Sequence, residues 1–375
     1  MIKRYLQKII ENSLNKGKIV ILYGPRQVGK TTLAQTFMSD TTILYNCDRG
    51  ETRNAFETTN LTALYSLVEP YERVIIDEAQ RVRDIGLTLK ILIDTYPKKQ
   101  FLVTGSSSLD LANRVVEPLT GRHFSFLMYP LSLSELQNEC DPIALREQLA
   151  ERLIYGSYPD IVTTKNMSDR EQLLRELRDS FLLKDILTIE RIKQPHLILD
   201  LLQAVALQIG QEASYEELAT LLGLHKQTIK KYLNLCEEIF LLTSLRPYTT
   251  NQRQSIRKKR KYYFLDLGLR NALINNFNPL DLRGDVGALW ENFCVIERMK
   301  HNAQLRRQPN YYFWRSYTGQ EIDLIEEAGG TLSGFEMKYK KDVLPTAIHH
   351  AFADIGGRTL TLVNKENLFS TLLVS

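Results

Sequence analysis

Gly24-Pro25-Arg26-Gln27-Val28-Gly29-Lys30-Thr31-Thr32 fits the phosphate-loop pattern G-x-x-x-x-G-K-[ST]. The apolar run Ile19-Val20-Ile21-Leu22-Tyr23 before it reads as a buried strand, and Leu33 to Met38 after it as a helix. A strand, a glycine-rich turn and a helix are the setting the motif requires. The glycines let the backbone curl until its N–H groups converge on phosphate oxygens at the positive end of the helix dipole. The whole run, Gly24 to Thr32, is therefore the expected nucleotide cradle. Lys30 would reach the β- and γ-phosphates, and the Thr31 hydroxyl would ligate magnesium.

Thr42 to Asp48 reads as a second strand, and a polar helical stretch follows to about residue 68. The third strand, Arg73-Val74-Ile75-Ile76-Asp77, ends in the carboxylates Asp77 and Glu78. In nucleoside triphosphatases an acid at such a strand end holds magnesium and the next polarises the attacking water. Those roles fall to Asp77 and Glu78. After a helix at Leu87 to Ile93, the strand from Gln100 ends in Thr104-Gly105-Ser106-Ser107-Ser108. Thr104 or Ser106 would sense the γ-phosphate at the ligand-bearing sheet edge, or serve as a helix cap. Leu119 to Leu127 runs into a fifth strand. Arg122, with Arg114 as second choice, is placed to act as an arginine finger on the nucleotide of a neighbouring subunit.

The succession GPRQVGKTTL (24–33), VIIDEAQ (74–80), LVTGSS (102–107) and LTGR (119–122), followed by YPLSLSE (129–135), resembles the AAA-type ATPases. More narrowly, it is similar to a bacterial and archaeal group in which this module carries a C-terminal domain of uncharacterised function. The resemblance implies an α/β fold. A P-loop AAA+ parallel-sheet domain (1–140) would be followed by a helical lid (141–205), a winged helix-turn-helix (206–265) and a restriction-endonuclease-like α/β domain (266–375). It also implies ATP and Mg2+ as cofactors and a homo-oligomer, with a ring as one form.

The bulk composition agrees with several domains. The chain has 375 residues, 43% hydrophobic and 25% charged, with a net charge of +4, so overall charge says little about partners. Cys47, Cys140, Cys236 and Cys294 are far apart and lack metal-ligand spacing, as free thiols in a reducing compartment would be. No run reaches the roughly 18 apolar residues that span a bilayer. The start has Ile2, Leu6 and Ile9 at helical spacing but no signal-peptide core. A cytoplasmic protein with no membrane partner is expected.

Residues 141 to about 205 alternate apolar and charged positions at helical spacing, for example Leu173, Leu174, Leu177 and Phe181, with a turn at Ile154 to Pro159. Ser214 and Glu217 suggest a capping box opening a short helix that ends at Gly223. A second helix follows the turn at Leu224-His225-Lys226, in helix-turn-helix spacing. Its exposed face would carry Lys226, Gln227, Lys230 and Lys231 beside His225, residue types that suit phosphate and base edges. Leu241 to Leu245 and Lys261 to Leu265 read as a hairpin. Its tip, Arg253 to Lys261, holds six basic residues in nine, among them Arg257, Lys258, Lys259 and Arg260. Such a tip points to DNA through phosphate neutralisation, or it is a solvated loop on a winged helix used as a scaffold.

In the last stretch Glu291 lies on an amphipathic helix, Asp323 within an apolar strand, and Glu336 and Lys338 two apart on one strand face. Glu291, Asp323 and Glu336 can bind magnesium, and Lys338 can orient or deprotonate a water for phosphodiester hydrolysis. The arrangement resembles the PD-(D/E)XK nucleases, with Ile322 where that superfamily has proline. An active nuclease and an inactive fold kept for binding or assembly both fit the pattern. Two functions follow. The first is an ATP-driven DNA-processing enzyme. The second is a nucleotide-dependent switch or assembly protein whose C-terminal half recognises a partner and cuts nothing. A small-substrate kinase would leave more than half the chain unexplained.

Overall fold

The computed structural model describes residues 2–106, 118–138, 141–180, 195–249, 259–316, 319–340 and 343–373. Of the residues singled out above, Ser107, Ser108, Arg114, Cys140, Phe181, Arg253, Arg257 and Lys258 lie outside them. The chain divides into two compact units, residues 1–131 with 238–240, and residues 132–237 with 241–375.

The first unit is built on five parallel strands, β1 (Ile19–Tyr23), β2 (Thr42–Asn46), β3 (Arg73–Asp77), β4 (Gln100–Gly105) and β5 (His123–Leu127). Their order across the sheet is β2-β3-β4-β1-β5. The central strands β1, β3 and β4 are almost wholly buried, as continuous Val/Ile/Leu runs in a sheet covered on both faces must be. Helices α1 (Leu6–Leu14), α2 (Lys30–Gln35), α3 (Gly50–Phe56), α4 (Leu61–Val68) and α5 (Ile85–Thr95) accompany it. Phe56, Leu64, Val68, Leu89 and Leu92 pack with Val74, Ile76, Phe101 and Val103 into one apolar cluster. The strand register puts the C-terminal ends of β1, β3 and β4 at one edge, so the loop after β1 meets the residues that end β3 and β4. The helix expected to reach Met38 ends at Gln35.

In the second unit, helices α6 (Leu133–Gln137), α7 (Pro142–Glu147), α8 (Leu149–Tyr155), α9 (Pro159–Thr163), α10 (Met167–Ser180) and α11 (Pro195–Leu207) come first. Then follow β6 (Glu212–Ala213), α12 (Tyr215–Leu222), α13 (Lys226–Glu238), β7 (Leu242–Pro247), β8 (Arg260–Phe264) and α14 (Leu267–Leu273). The chain continues through α15 (Val286–Gln304), β9 (Asn310–Arg315), β10 (Glu321–Ala328), β11 (Thr331–Met337), α16 (Thr346–Asp354), β12 (Gly357–Val363) and α17 (Leu368–Leu372). The seven strands form one sheet in the order β12-β11-β10-β9-β7-β8-β6. The hairpin β7–β8 and the later strands, which the sequence suggests as separate domains, are thus spliced edge to edge. The splice is a short parallel pairing, Arg246 with Tyr312 and Pro247 with Phe313. Beyond the last element read from the sequence, helix α16 leads to strand β12, which extends the sheet beyond β11.

Two local devices shape this unit. Ser214 caps α12 by accepting from the Glu217 N–H at 3.4 Å, and Gly223 closes the helix at φ 64°. The Glu217 carboxylate accepts from Gln208 Nε2 at 3.2 Å, and the Ser214 hydroxyl donates to Glu216. Buried Asp266 caps α14 through the N–H groups of Gly268 and Leu269, and its other oxygen accepts from Ser157 at 2.6 Å. A Cβ on Gly156, at φ 74°, would lie 2.0 Å from that carboxylate, so glycine is required there.

Candidate functional sites

In the first unit the loop between β1 and α2 alternates in backbone sign. Gly24, Gln27 and Gly29 all have positive φ, at 149°, 58° and 94°. This turns successive N–H groups into a concave nest suited to an anion. Gly24 has a second reason to lack a side chain, because a Cβ would lie 2.3 Å from the Met128 carbonyl oxygen at the end of β5. Val28 is fully buried and anchors the loop, while its carbonyl accepts from Arg4 Nη1 at 2.8 Å. Arg4 Nη2 also donates to the Tyr129 carbonyl at 2.5 Å. Pro25 is buried, Arg26 half-buried, and Gln27 and Thr32 exposed along the rim.

Lys30 is 5% exposed. Its ammonium donates to the carbonyls of Gly24 at 2.9 Å and Pro25 at 2.7 Å, so it lies over the hollow of the loop. The Thr31 hydroxyl donates to Asp77, 3.0 Å from Oδ2 and 3.1 Å from Oδ1. Asp77 also accepts from the Thr104 hydroxyl. The same hydroxyl accepts from the Glu78 N–H at 3.2 Å. Glu78 has φ 54°, a conformation uncommon outside glycine and asparagine. Its carboxylate accepts from Gln80 Nε2 at 2.5 Å, and that same nitrogen donates to Ser106 Oγ at 3.0 Å. Thr31, Asp77, Glu78, Thr104 and Ser106 therefore converge, as the sequence suggested. Sequence reasoning missed Arg4, which lies far from the motif, and Gln80, the last residue of the quoted 74–80 run.

Hard oxygen donors from a hydroxyl and a carboxylate, beside an anion nest, suit Mg2+ held jointly with phosphate. Arg122 lies at the other end of the sheet, where its carbonyl bonds Ile19 at the start of β1, and its guanidinium pairs with Asp94 at 2.6 Å. It does not approach the loop of its own chain.

In the second unit, residues from one helix and three strands meet in an acid cluster. Glu291 comes from α15, Glu321 and Asp323 from β10, and Glu336 and Lys338 from the end of β11. Lys261 and Tyr263 come from one face of β8. The register between β9 and β10 shifts between Ile322 and Ile325, an irregularity that re-aims the residues between them. Asp323 Oδ2 accepts from the Met337 N–H at 2.8 Å, and the Asp323 N–H donates to Glu336 at 3.3 Å. Lys338 pairs with Glu336 at 2.7 Å and Asp323 at 3.4 Å. Glu291 accepts from the Tyr263 hydroxyl at 2.7 Å and from Lys261 at 2.9 Å. Lys261 also pairs with Glu321 and lies 3.8 Å from Asp323.

Burial and the Asp323 charge push the Glu291 carboxyl up to about 7, against the pull of Lys261. The same two causes push Glu336 up to about 7, against Lys338. Burial pulls the Lys261 ammonium down, but Glu291, Asp323 and Glu321 overcome it and leave the group above the ordinary lysine range. The four residues expected to form a nuclease-like site do come together. Among the described residues, however, no three His, Cys, Asp or Glu side chains are arranged to hold a metal ion. Ammonium groups lie among the acids instead. Lys261 belongs to the basic run read as a hairpin tip, yet its side chain is 2% exposed.

The helix pair has the exposed face its sequence suggested. Ile229, Leu233 and Cys236 of α13 are buried, while His225, Lys226, Gln227, Lys230 and Lys231 are exposed. Lys226 pairs with Glu216. Lys259 is exposed, but Arg260 is turned against the protein, 3.3 Å from Ser244 Oγ and 3.8 Å from Glu237. It begins β8 rather than lying in the tip, because strand alternation sends Arg260 and Lys261 to opposite faces. Cys47, Cys236 and Cys294 are buried free thiols. No described helix is long and apolar enough to cross a membrane.

Three family models match. Residues 16–137 match an AAA domain, and residues 146–280 and 286–366 match two domains of unknown function, DUF8612 and DUF4143. An uncharacterised protein of Mycobacterium tuberculosis is 29% identical over 342 residues, 88% of this chain and 72% of its own length. One of Haemophilus influenzae is 26% identical over 331 residues, 80% of this chain and 78% of its own length. A DNA polymerase III gamma subunit-related protein of Thermotoga maritima superposes over 62% of this chain and 96% of its own, at 13% identity and a TM-score of 0.25. At that score the overall likeness carries no weight. The matched sequence, the parallel order β2-β3-β4-β1-β5 and the Thr31–Asp77 contact agree: residues 16–137 are a P-loop domain of the AAA type, a nucleotide-binding class.

Proposed function

We propose that this protein is a Mg2+-dependent ATP hydrolase of the AAA+ type whose second unit contacts DNA. The observation that carries the hydrolase reading is the chain of contacts Thr31–Asp77–Thr104–Glu78 beside the phosphate loop. The loop N–H groups and Lys30 hold the triphosphate. Thr31 and Asp77 would hold the magnesium ion, which would supply positive charge to offset that of the phosphates. Glu78, fixed by Gln80, orients and polarises the attacking water. Thr104, through the Glu78 N–H, and Ser106, through Gln80, tie Glu78 to the end of β4 and so sense whether the γ-phosphate is present. Arg122 acts on the nucleotide of a neighbouring copy in a homo-oligomer.

DNA contact rests on the exposed face of α13. Lys226, Gln227, Lys230 and Lys231 occupy the recognition side of a helix-turn-helix within a winged-helix arrangement, with Lys259 at the base of the hairpin tip. The basic residues neutralise phosphates and Gln227 reads a base edge. The test is ATP hydrolysis with and without duplex DNA across a salt series. Stimulation by DNA that weakens as salt rises, and is lost in Lys230→Glu/Lys231→Glu, supports the reading. Hydrolysis indifferent to DNA at low salt removes the DNA part and leaves a nucleotide switch with another partner.

A further inference from the structure

Nucleases of the type the C-terminal stretch resembles use such acids to hold a divalent cation, and here the fit can be judged from the donor set. Glu291, Glu321 and Asp323 all face one point, and that point is taken by Lys261 Nζ, at 2.9 Å from Glu291, 3.8 Å from Asp323 and in contact with Glu321. The remaining oxygens of Asp323 and Glu336 accept from backbone N–H groups and from Lys338. A magnesium ion requires oxygens at about 2.0–2.1 Å in near-octahedral array. It would have to share that space with a fixed positive charge a few ångströms away, which is strongly repulsive where water is scarce. Lys261 is held in the interior: its side chain is 2% exposed and its Nζ lies 5.6 Å from the centroid of the Phe313 ring. The Tyr263 hydroxyl donates to the same Glu291 oxygen, Oε1, that accepts from Lys261. The donor set does not fit a resident metal.

We propose that Lys261 is the resident cation of this cluster, a covalently tethered ammonium standing where a divalent metal would otherwise sit. The second unit therefore takes up no metal at these acids. The cluster is an internal ion network that fastens β8 to α15 and β10. This inference does not depend on the nucleotide or DNA readings, since it concerns only groups within the second unit.

The experiment is a Mn2+ titration of the full chain without nucleotide, followed by electron paramagnetic resonance of the free ion. All samples carry Asp77→Asn to silence the nucleotide site. The Asp77→Asn chain is expected to show no stoichiometric Mn2+ binding. Adding Lys261→Met opens the cluster and yields one bound ion per chain, which is lost again when Asp323→Asn is added. Mn2+ should also raise the melting temperature of the Lys261→Met chain and leave that of its Lys261-containing parent unchanged. Stoichiometric binding by the parent that disappears with Asp323→Asn overturns the proposal. So does a folded Lys261→Met chain that binds no ion. If Lys261→Met fails to fold, the parent and its Asp323→Asn derivative still decide whether a metal resides there, and Lys261→Gln repeats the gain-of-site test.

Discussion

Thr31 and Asp77 lie 46 residues apart in sequence, yet the hydroxyl of one is 3.0 Å from the carboxylate of the other. The parallel register brings the loop after β1 and the end of β3 to one edge, and the two side chains close the gap. Replacing Thr31 with Val, or Asp77 with Asn, removes one hard oxygen donor while keeping the shape. Magnesium-dependent ATP turnover is expected to fall on the order of 100-fold. Binding of nucleotide without metal should change little. Steady-state hydrolysis and a fluorescent-nucleotide titration with and without Mg2+ separate the two effects.

Glu78 holds its carboxylate in place through a left-handed backbone and the Gln80 amide. Glu78→Gln preserves volume and a hydrogen-bonding oxygen but cannot polarise water. Hydrolysis should fall roughly 100- to 10,000-fold, with nucleotide affinity retained. Single-turnover kinetics with radiolabelled ATP is the measurement. A variant that turns over normally would remove Glu78 from the chemistry.

Gly24→Ala inserts a methyl group against the Met128 carbonyl at a backbone angle that disfavours side chains. The neighbour is backbone and cannot swing aside. The loop must shift, so nucleotide affinity is expected to drop at least about 10-fold, with a destabilisation of about 1–3 kcal/mol. Isothermal titration and thermal melting of the same sample test both consequences.

The acid cluster gives a signed pH dependence. Glu291 and Glu336 are both raised to about 7 from an ordinary value of 4.5. The folded chain therefore binds protons that the unfolded chain releases between those values. The stability these groups lend is full below about pH 4.5 and is lost as pH rises to 7, with a ceiling of about 3 kcal/mol for each. Glu291→Gln should remove its share of that slope and leave the share from Glu336. Urea unfolding at a series of pH values reads the difference.

Much of the first unit is legible because its motif fixes both local geometry and neighbours. A phosphate loop after a buried strand implies a parallel sheet, and Asp77, Glu78 and Thr104 end strands that must lie beside it. Arg4 escapes such reading because its partners are backbone carbonyls, at Val28 and Tyr129, and carbonyls carry no sequence signature. In the second unit Glu291, Asp323, Glu336 and Lys338 are legible from charges set within apolar elements. Lys261 is legible as the first residue of the strand Lys261 to Leu265, but its burial is not, since a lysine closing a run of basic residues looks solvated. The edge-to-edge splice of β7 with β9 is also silent in sequence, because two rungs of backbone pairing require no particular side chains.

That splice has a mechanical consequence. The hairpin carrying the basic run is not a free arm, for β8 bonds β7, β7 bonds β9, and β9 continues to β12. A load on the hairpin tip is shared along a stiff plate of seven strands. Yet on its way to β9 it crosses a short seam, the pairs Arg246–Tyr312 and Pro247–Phe313. The missing N–H of Pro247 does not stop the seam there, because the Tyr248 N–H beyond it donates to the Phe313 carbonyl at 2.6 Å. Lys261 bridges the same seam from one side chain, joining β8 to β10 past the two strands between. It works as a rivet across a short weld, an ionic tie running beside the two backbone pairs.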